Sequence, residues 1–153
     1  MSEVEAIAAA IHETWRALSR KEGLPMRPNL DQPYVDLADA DKDNNRAAAR
    51  RMGDVLAVAG LTLSNDPARQ AVASDALTAS MEALAEAEHD GWMAQRARNG
   101  WSWGETRDDE AKRHPSMVPY ARLPESEKDK DRGNVRRYPD FAAGAGYRIV
   151  RSR

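Results

Sequence analysis

A mainly helical chain with a few short β-strands is what this sequence predicts, arranged as two pseudosymmetric helical repeats packed around a central groove. Three observations lead there. Apolar residues near the N-terminus recur at helical spacing, the same ordered set of residues returns in the second half, and each half closes on a Gly followed by a short apolar segment.

The first helix is read over residues 3–21. Val4, Ile7, Ala8, Ile11, Trp15 and Leu18 stand three or four residues apart, which puts them on one face, and Gly23 suits a left-handed C-terminal cap. In the second half Leu77, Met81, Leu84, Ala85, Glu88, Trp92 and Gln95 make the equivalent face up to Gly100. Asp66-Pro67 offers a cap and a first-turn proline, so one long helix linking the halves is expected to begin there. A second helix in each half opens on acidic residues, Asp36 to Asp39 and Glu125, where negative charge suits the positive end of the helix dipole. Pro139 removes a backbone donor, which predicts a break near Arg137–Tyr138. Gly60 and Gly146 then lead into Leu61-Thr-Leu63 and Tyr147-Arg-Ile149-Val150, two short strands able to pair.

The halves align without internal gaps over two blocks. Residues 6–25 match 83–102, sharing His12/His89, Trp15/Trp92 and Gly23/Gly100 along with several alanines. Residues 33–63 match 119–149, sharing Pro33-Tyr34/Pro119-Tyr120, Leu37/Leu123, Lys42-Asp43/Lys128-Asp129, Arg46/Arg132, Arg50-Arg51/Arg136-Arg137 and Gly60/Gly146. Paired His, Trp, Pro-Tyr and Arg positions in one order point to duplication. The second copy carries the longer stretch between Gly100 and Pro119, with Trp101, Trp103, Arg107 and His114-Pro115 in it. The division expected is residues 1–64 and 65–153, both within one compact unit, with equivalent loops facing across a shared groove.

Composition narrows the function classes. With 23 Lys and Arg against 25 Asp and Glu, the net charge is -2, which argues against a binder of nucleic-acid polymers. The chain has no Cys, so disulfides and thiol chemistry are excluded. No apolar run approaches a membrane span, and the start Met-Ser-Glu-Val-Glu lacks the pattern of a signal peptide, so a cytoplasmic protein is expected.

Four constellations carry possible chemistry. His12/Trp15 and His89/Trp92 lie one helical turn apart and read as structural, a buried indole beside a His that bonds a loop carbonyl, with a ligand role as the alternative. Glu86-x-x-His89 has the spacing used in di-metal carboxylate sites, but its counterpart in the first copy is Ala9, so no metal is expected. Trp101, Trp103 and Tyr120 can stack on a planar ligand or cover the helices. Arg46 and Arg132, each flanked by Lys and Arg at helical steps, either grip a phosphate or pair with Asp39, Asp43, Glu125 and Asp129 on a solvated face. Arg107 is a further cation. No nucleophile elbow, phosphate-cradling Gly loop or zinc helix is present. Asp108, Asp109 and His114 keep a nucleotide-degrading enzyme open as a lesser reading.

The run His89-x-x-Trp92, Gly100-Trp-Ser-Trp-Gly104, Arg107-Asp-Asp109, Lys112-x-His114-Pro115, Val118-Pro-Tyr120, Leu123-Pro-Glu125, Asp131-Arg132 and Gly146-Tyr-x-Ile149-Val150 resembles the RyR domain, the repeat of ryanodine receptors also found in bacterial and phage proteins. The first copy is similar but degraded, with Leu24 where the second has Trp101. The resemblance implies paired helical repeats with short strands and a cleft that takes an adenine-type nucleotide or nucleotide-derived signal, without catalysis and without a cofactor. Carried over by position, Trp101 would stack, while Asn45 and Asp131 would meet polar groups of the ligand. Arg46 and Arg132 would meet phosphate, and Tyr34, Trp103, Arg107 and Tyr120 complete the ligand-facing set. A protein partner without a small ligand is the alternative. Monomer and homodimer are both open.

Overall fold

The computed structural model describes residues 1–153. In chain order its elements are α1 (Glu3–Glu22), α2 (Asp39–Val58), β1 (Leu61–Ser64), α3 (Asp75–Ala79), α4 (Met81–Arg98), β2 (Ser102–Trp103), β3 (Arg113–His114), α5 (Glu125–Arg136), α6 (Tyr138–Gly144) and β4 (Arg148–Arg151). The chain is mainly helical, as its periodicity predicts. No helix is long and apolar enough to cross a membrane. Contacts divide it into two units, Met1–Ala73 with Arg137–Arg153, and Ser74–Arg136.

In the first unit, α1 starts where the Ser2 hydroxyl accepts the Glu5 N–H at 3.2 Å, and it stops where Gly23 turns left-handed at φ 67°. Its apolar stripe buries Ile7, Ala8 and Ile11. A single 3-10 turn at Tyr34–Asp36, entered through Pro33, precedes α2. Helix α2 buries Ala49, Met52, Val55 and Leu56. The strands pair as expected: β1 and β4 run antiparallel with Leu61 opposite Arg151 and Leu63 opposite Ile149. Leu61, Ile149, Val150, Tyr138 and Phe141 are buried in this unit, and the Phe141 ring packs 6.3 Å from that of Trp15.

In the second unit, α4 and α5 pack together, and Ala85, Tyr120 and Leu123 form a core cluster with Val118 against it. A 3-10 turn at Tyr120–Arg122 entered through Pro119 leads to α5. Strands β2 and β3 pair in parallel, Ser102 opposite Arg113 and Trp103 opposite His114.

Two details answer the sequence directly. The break foreseen at Pro139 is present, with α5 ending at Arg136 and α6 starting at Tyr138. The long linking helix from Asp66 is not. The Asp66 carboxylate accepts the Ala68 N–H at 2.9 Å, which makes a local turn instead of a cap. The Val72 N–H then donates to the Ile149 carbonyl at 2.9 Å, so this stretch lies along β4. Helix begins only at Asp75 and is interrupted at Ser80.

Candidate ligand cleft

Each unit holds a tyrosine, a glutamate and an arginine joined in one network. In the second, the Tyr120 hydroxyl donates to Glu82 Oε2 at 2.8 Å and Arg132 Nε donates to Glu82 Oε1 at 2.6 Å. Arg132 also donates through Nη1 to Asp129 at 2.8 Å and Glu125 at 3.0 Å. The Arg132 hydrogen bond, then that of Tyr120, holds the Glu82 carboxyl below its ordinary value. Burial, reinforced by the Glu82 charge, pushes the Tyr120 hydroxyl up to about 12. Three carboxylates raise the Arg132 guanidinium further above its already high value.

The first unit has the same chemistry. Tyr34 donates to Glu5 Oε2 at 3.2 Å, Arg46 Nε donates to Glu5, and Arg46 Nη1 donates to Asp43 at 2.7 Å. The Glu5 carboxyl is lowered chiefly by Arg46, and burial raises Tyr34. The two histidines also behave alike. His12 Nε2–H donates to the Gln32 carbonyl and His89 Nε2–H to the Val118 carbonyl, each at 2.7 Å.

The second unit also encloses a cleft of about 370 Å³, with His89, Trp92, Arg107, His114, Leu123, Glu127, Lys130 and Asp131 among its lining residues. Helix α4 supplies His89 and Trp92, whose rings stack at 5.7 Å. Strand β3 supplies His114, set edge-on to Trp92 at 5.1 Å. Helix α5 supplies Glu127, Lys130 and Asp131. Asp131 Oδ2 lies 3.5 Å from His89 Nδ1, Lys130 pairs with Glu127 at 2.9 Å and Arg107 with Asp109 at 2.7 Å. Burial, then the charges of Arg107 and Arg96, push the His114 imidazole below its ordinary value, so it is neutral at pH 7.

Of the residues singled out in the sequence, Asp131 and Arg107 line this cleft, together with His89 and Trp92, which the sequence reading treated as structural. Trp101 is not among its lining residues. The Trp101 ring lies 6.3 Å from that of His114, with the Arg96 guanidinium 4.7 Å over it. Trp103 is 56% exposed. Tyr120 and Arg132 are turned to Glu82, and Lys128 lies 5.3 Å over the Tyr120 ring. In the first unit, Tyr34 and Arg46 are turned to Glu5, and Asn45 donates to the Asp41 carbonyl at 3.1 Å. Trp15 is 37% exposed instead of buried, under the Arg137 guanidinium at 5.3 Å. Glu86 is exposed while His89 is buried, so the two do not share a surface as a metal pair would.

Sequence reasoning missed Glu5 and Glu82, the tertiary partners of the two arginines. A signal was present: Glu5 and Glu82 stand one position before the aligned blocks at the same offset, so extending the comparison by one residue finds them. It also left His114 without a partner. The backbone N–H of Ser116 donates to His114 Nδ1 at 3.0 Å, a side-chain-to-backbone bond across two residues.

The RyR domain family matches residues 68–151, more than half of the chain. The matched stretch contains the whole cleft lining, the Tyr120–Glu82–Arg132 network and both helices that carry them. The chain belongs to the RyR domain family.

Proposed function

We propose that the protein is a non-enzymatic binding module, a tandem pair of RyR units, that holds an adenine-type nucleotide or a nucleotide-derived signal in the cytoplasm. The ligand site of this reading is the cleft lined by residues between His89 and Asp131. One observation carries it: three chemistries that a nucleotide needs converge on that cleft. A flat ring is offered by Trp92, an imidazole by His114, cations by Arg107 and Lys130, and hydrogen-bond acceptors by Asp131 and Glu127. Its volume of about 370 Å³ falls within the usual range for small-molecule sites. Asp131 suits a base amino group or a ribose hydroxyl, since a carboxylate repels phosphate. Phosphate then falls to Arg107 and Lys130. Arg107 and Lys130 are each paired with one carboxylate, Asp109 and Glu127, whereas Arg46 is held by two and Arg132 by three, so a phosphate in the cleft displaces fewer charge-assisted bonds. The tandem reading is supported by the Tyr–Glu–Arg network recurring at matched sequence positions.

Such a module either senses its ligand for a partner protein or sequesters it. The exposed Trp103 favours a protein contact at the β2 loop as a second role, since tryptophan is enriched at interfaces. Calorimetry of the full chain against adenosine, AMP, ADP, ATP and cyclic AMP tests the main reading. At least one should bind. Arg107→Ala should weaken the phosphate-bearing ligands about tenfold more than adenosine, the scale of one charge-assisted bond. Absence of binding at millimolar ligand refutes the proposal.

A further inference from the structure

His114 combines three features that together assign it a specific task. First, the Ser116 N–H donates to Nδ1 at 3.0 Å. A nitrogen that accepts a hydrogen bond carries a lone pair, so in the neutral ring the proton sits on Nε2. Second, no protein group hydrogen-bonds Nε2, and that atom is not among the buried polar atoms without a partner. It therefore reaches open space, and His114 lines the cleft. Third, the ring has two aromatic neighbours, Trp92 edge-on at 5.1 Å and Trp101 at 6.3 Å, and β3 fixes its backbone opposite Trp103. A fixed ring with one nitrogen satisfied presents a single, oriented N–H donor to whatever fills the cleft.

We propose that His114 is the specificity-determining residue of the cleft: its Nε2–H donates to an unprotonated ring nitrogen of a planar heterocyclic ligand and excludes rings that carry N–H at that position. The proposal rests on the nucleotide reading above and adds the atom that selects the base. The other polar groups of the cleft divide accordingly. Asp131 and Glu127 accept, and Arg107 and Lys130 carry charge for an anionic group. His114 is the neutral donor. Protonating it would need the Nδ1 lone pair that Ser116 occupies, and the charges of Arg107 and Arg96 oppose it as well. The neutral donor is therefore the favoured form at pH 7. A ligand ring with N–H facing His114 would set donor against donor and leave both unpaired inside the cleft, which is the strongest kind of rejection a small site can make.

Two measurements test this. Long-range 15N-edited spectra of the ligand-free full chain at pH 7 should show His114 with Nδ1 bare and Nε2 protonated; the opposite tautomer or an imidazolium overturns the proposal. Calorimetry should then compare AMP with its 1-deaza, 3-deaza and 7-deaza analogues, each lacking one ring nitrogen, on wild type, His114→Ala and His114→Gln. One analogue should bind wild type about tenfold more weakly than AMP, yet match AMP on His114→Ala. Gln carries an amide N–H at about the reach of Nε2, so His114→Gln should recover much of the lost discrimination. A merely structural His114 would weaken all four ligands alike. If AMP binds wild type and no analogue couples to His114, this proposal fails while the nucleotide reading stands. If AMP and its analogues all fail to bind wild type, this proposal fails, and the nucleotide reading falls with it only when adenosine, ADP, ATP and cyclic AMP fail as well.

Discussion

The Tyr120 hydroxyl donates to Glu82 across 2.8 Å, joining residues 38 positions apart in the chain and tying the turn before α5 to the first turn of α4. Because Arg132 donates to the same carboxylate at 2.6 Å, Glu82 is the node that holds both helices in register. The position of Asp131, next to Arg132 on α5, follows from that register, and so does one wall of the cleft.

Tyr120→Phe should lower stability by about 1 kcal/mol, the net worth of one hydrogen bond, with the core packing retained. Denaturant melts at pH 7 check this. Glu82→Gln should destabilise more, because it removes the charge from bonds to both Arg132 and Tyr120. A Tyr120→Phe variant as unstable as Glu82→Gln would show that the hydroxyl, not the arginine, dominates.

Stability should fall at both ends of the pH scale. The lowered Glu82 and Glu5 carboxyls bind protons more readily unfolded than folded, so their contribution is complete above about 4.5 and is lost as pH falls through the folded values. Tyr120 runs the other way. Its hydroxyl is raised from 10.0 to about 12, so its contribution is complete below 10 and is lost as pH climbs toward 12. Tyr120→Phe should flatten the alkaline limb of a melting-temperature profile, and Glu82→Gln the acid limb.

Removing a neighbouring charge should release His114. Burial and then the charges of Arg107 and Arg96 keep the imidazole below its ordinary 6.5. Arg107→Ala should move its titration upward, readable from the ring-carbon proton shifts by NMR, without reaching an unperturbed value because burial remains. No movement would place Arg107 too far from the ring to matter.

Two glycines should respond differently to alanine. At Gly104 a Cβ would stand 2.6 Å from the Cβ of Arg113, beside the β2–β3 pairing that carries His114, so Gly104→Ala should cost about 1–3 kcal/mol through overpacking and weaken ligand binding. Gly146 has open space around it but sits at φ 80°, so Gly146→Ala should cost about 1–2 kcal/mol from backbone strain alone and leave the cleft unchanged. Thermal melts and calorimetry separate the two.

Phe141→Ala should be among the most damaging single changes, at about 3–5 kcal/mol, because the ring is 1% exposed and a cavity would remain. Trp15→Ala, on the ring it packs against, should cost much less, since that indole is 37% exposed. Equal losses would mean that the Trp15–Phe141 contact, rather than burial, sets the cost.

Helices α1, α2 and α5, the body of α4, the break at Pro139, the left-handed Gly23 and the strands β1 and β4 were legible in the sequence, because periodicity, proline and glycine act over a few residues. Local rules misled at Asp66. That residue has the look of a helix cap, yet its carboxylate closes a turn and the following chain is drawn along β4 by a bond from Val72 to Ile149, a competition that a ten-residue window does not contain.

The candidate site divides along the same line. Sequence alone determined the family, the paired His, Trp, Tyr and Arg positions, and the presence of cations and flat rings near residues 101–132. Only the tertiary structure decided that Arg46 and Arg132 face Glu5 and Glu82, that Tyr120 is consumed by Glu82, and that His114, kept in the sequence only as part of a lesser enzymatic reading, lines the cleft beside Trp92. The reason is physical: a guanidinium can serve a phosphate or a carboxylate equally well, and the choice rests on which oxygen the folded backbone brings within 3 Å of it.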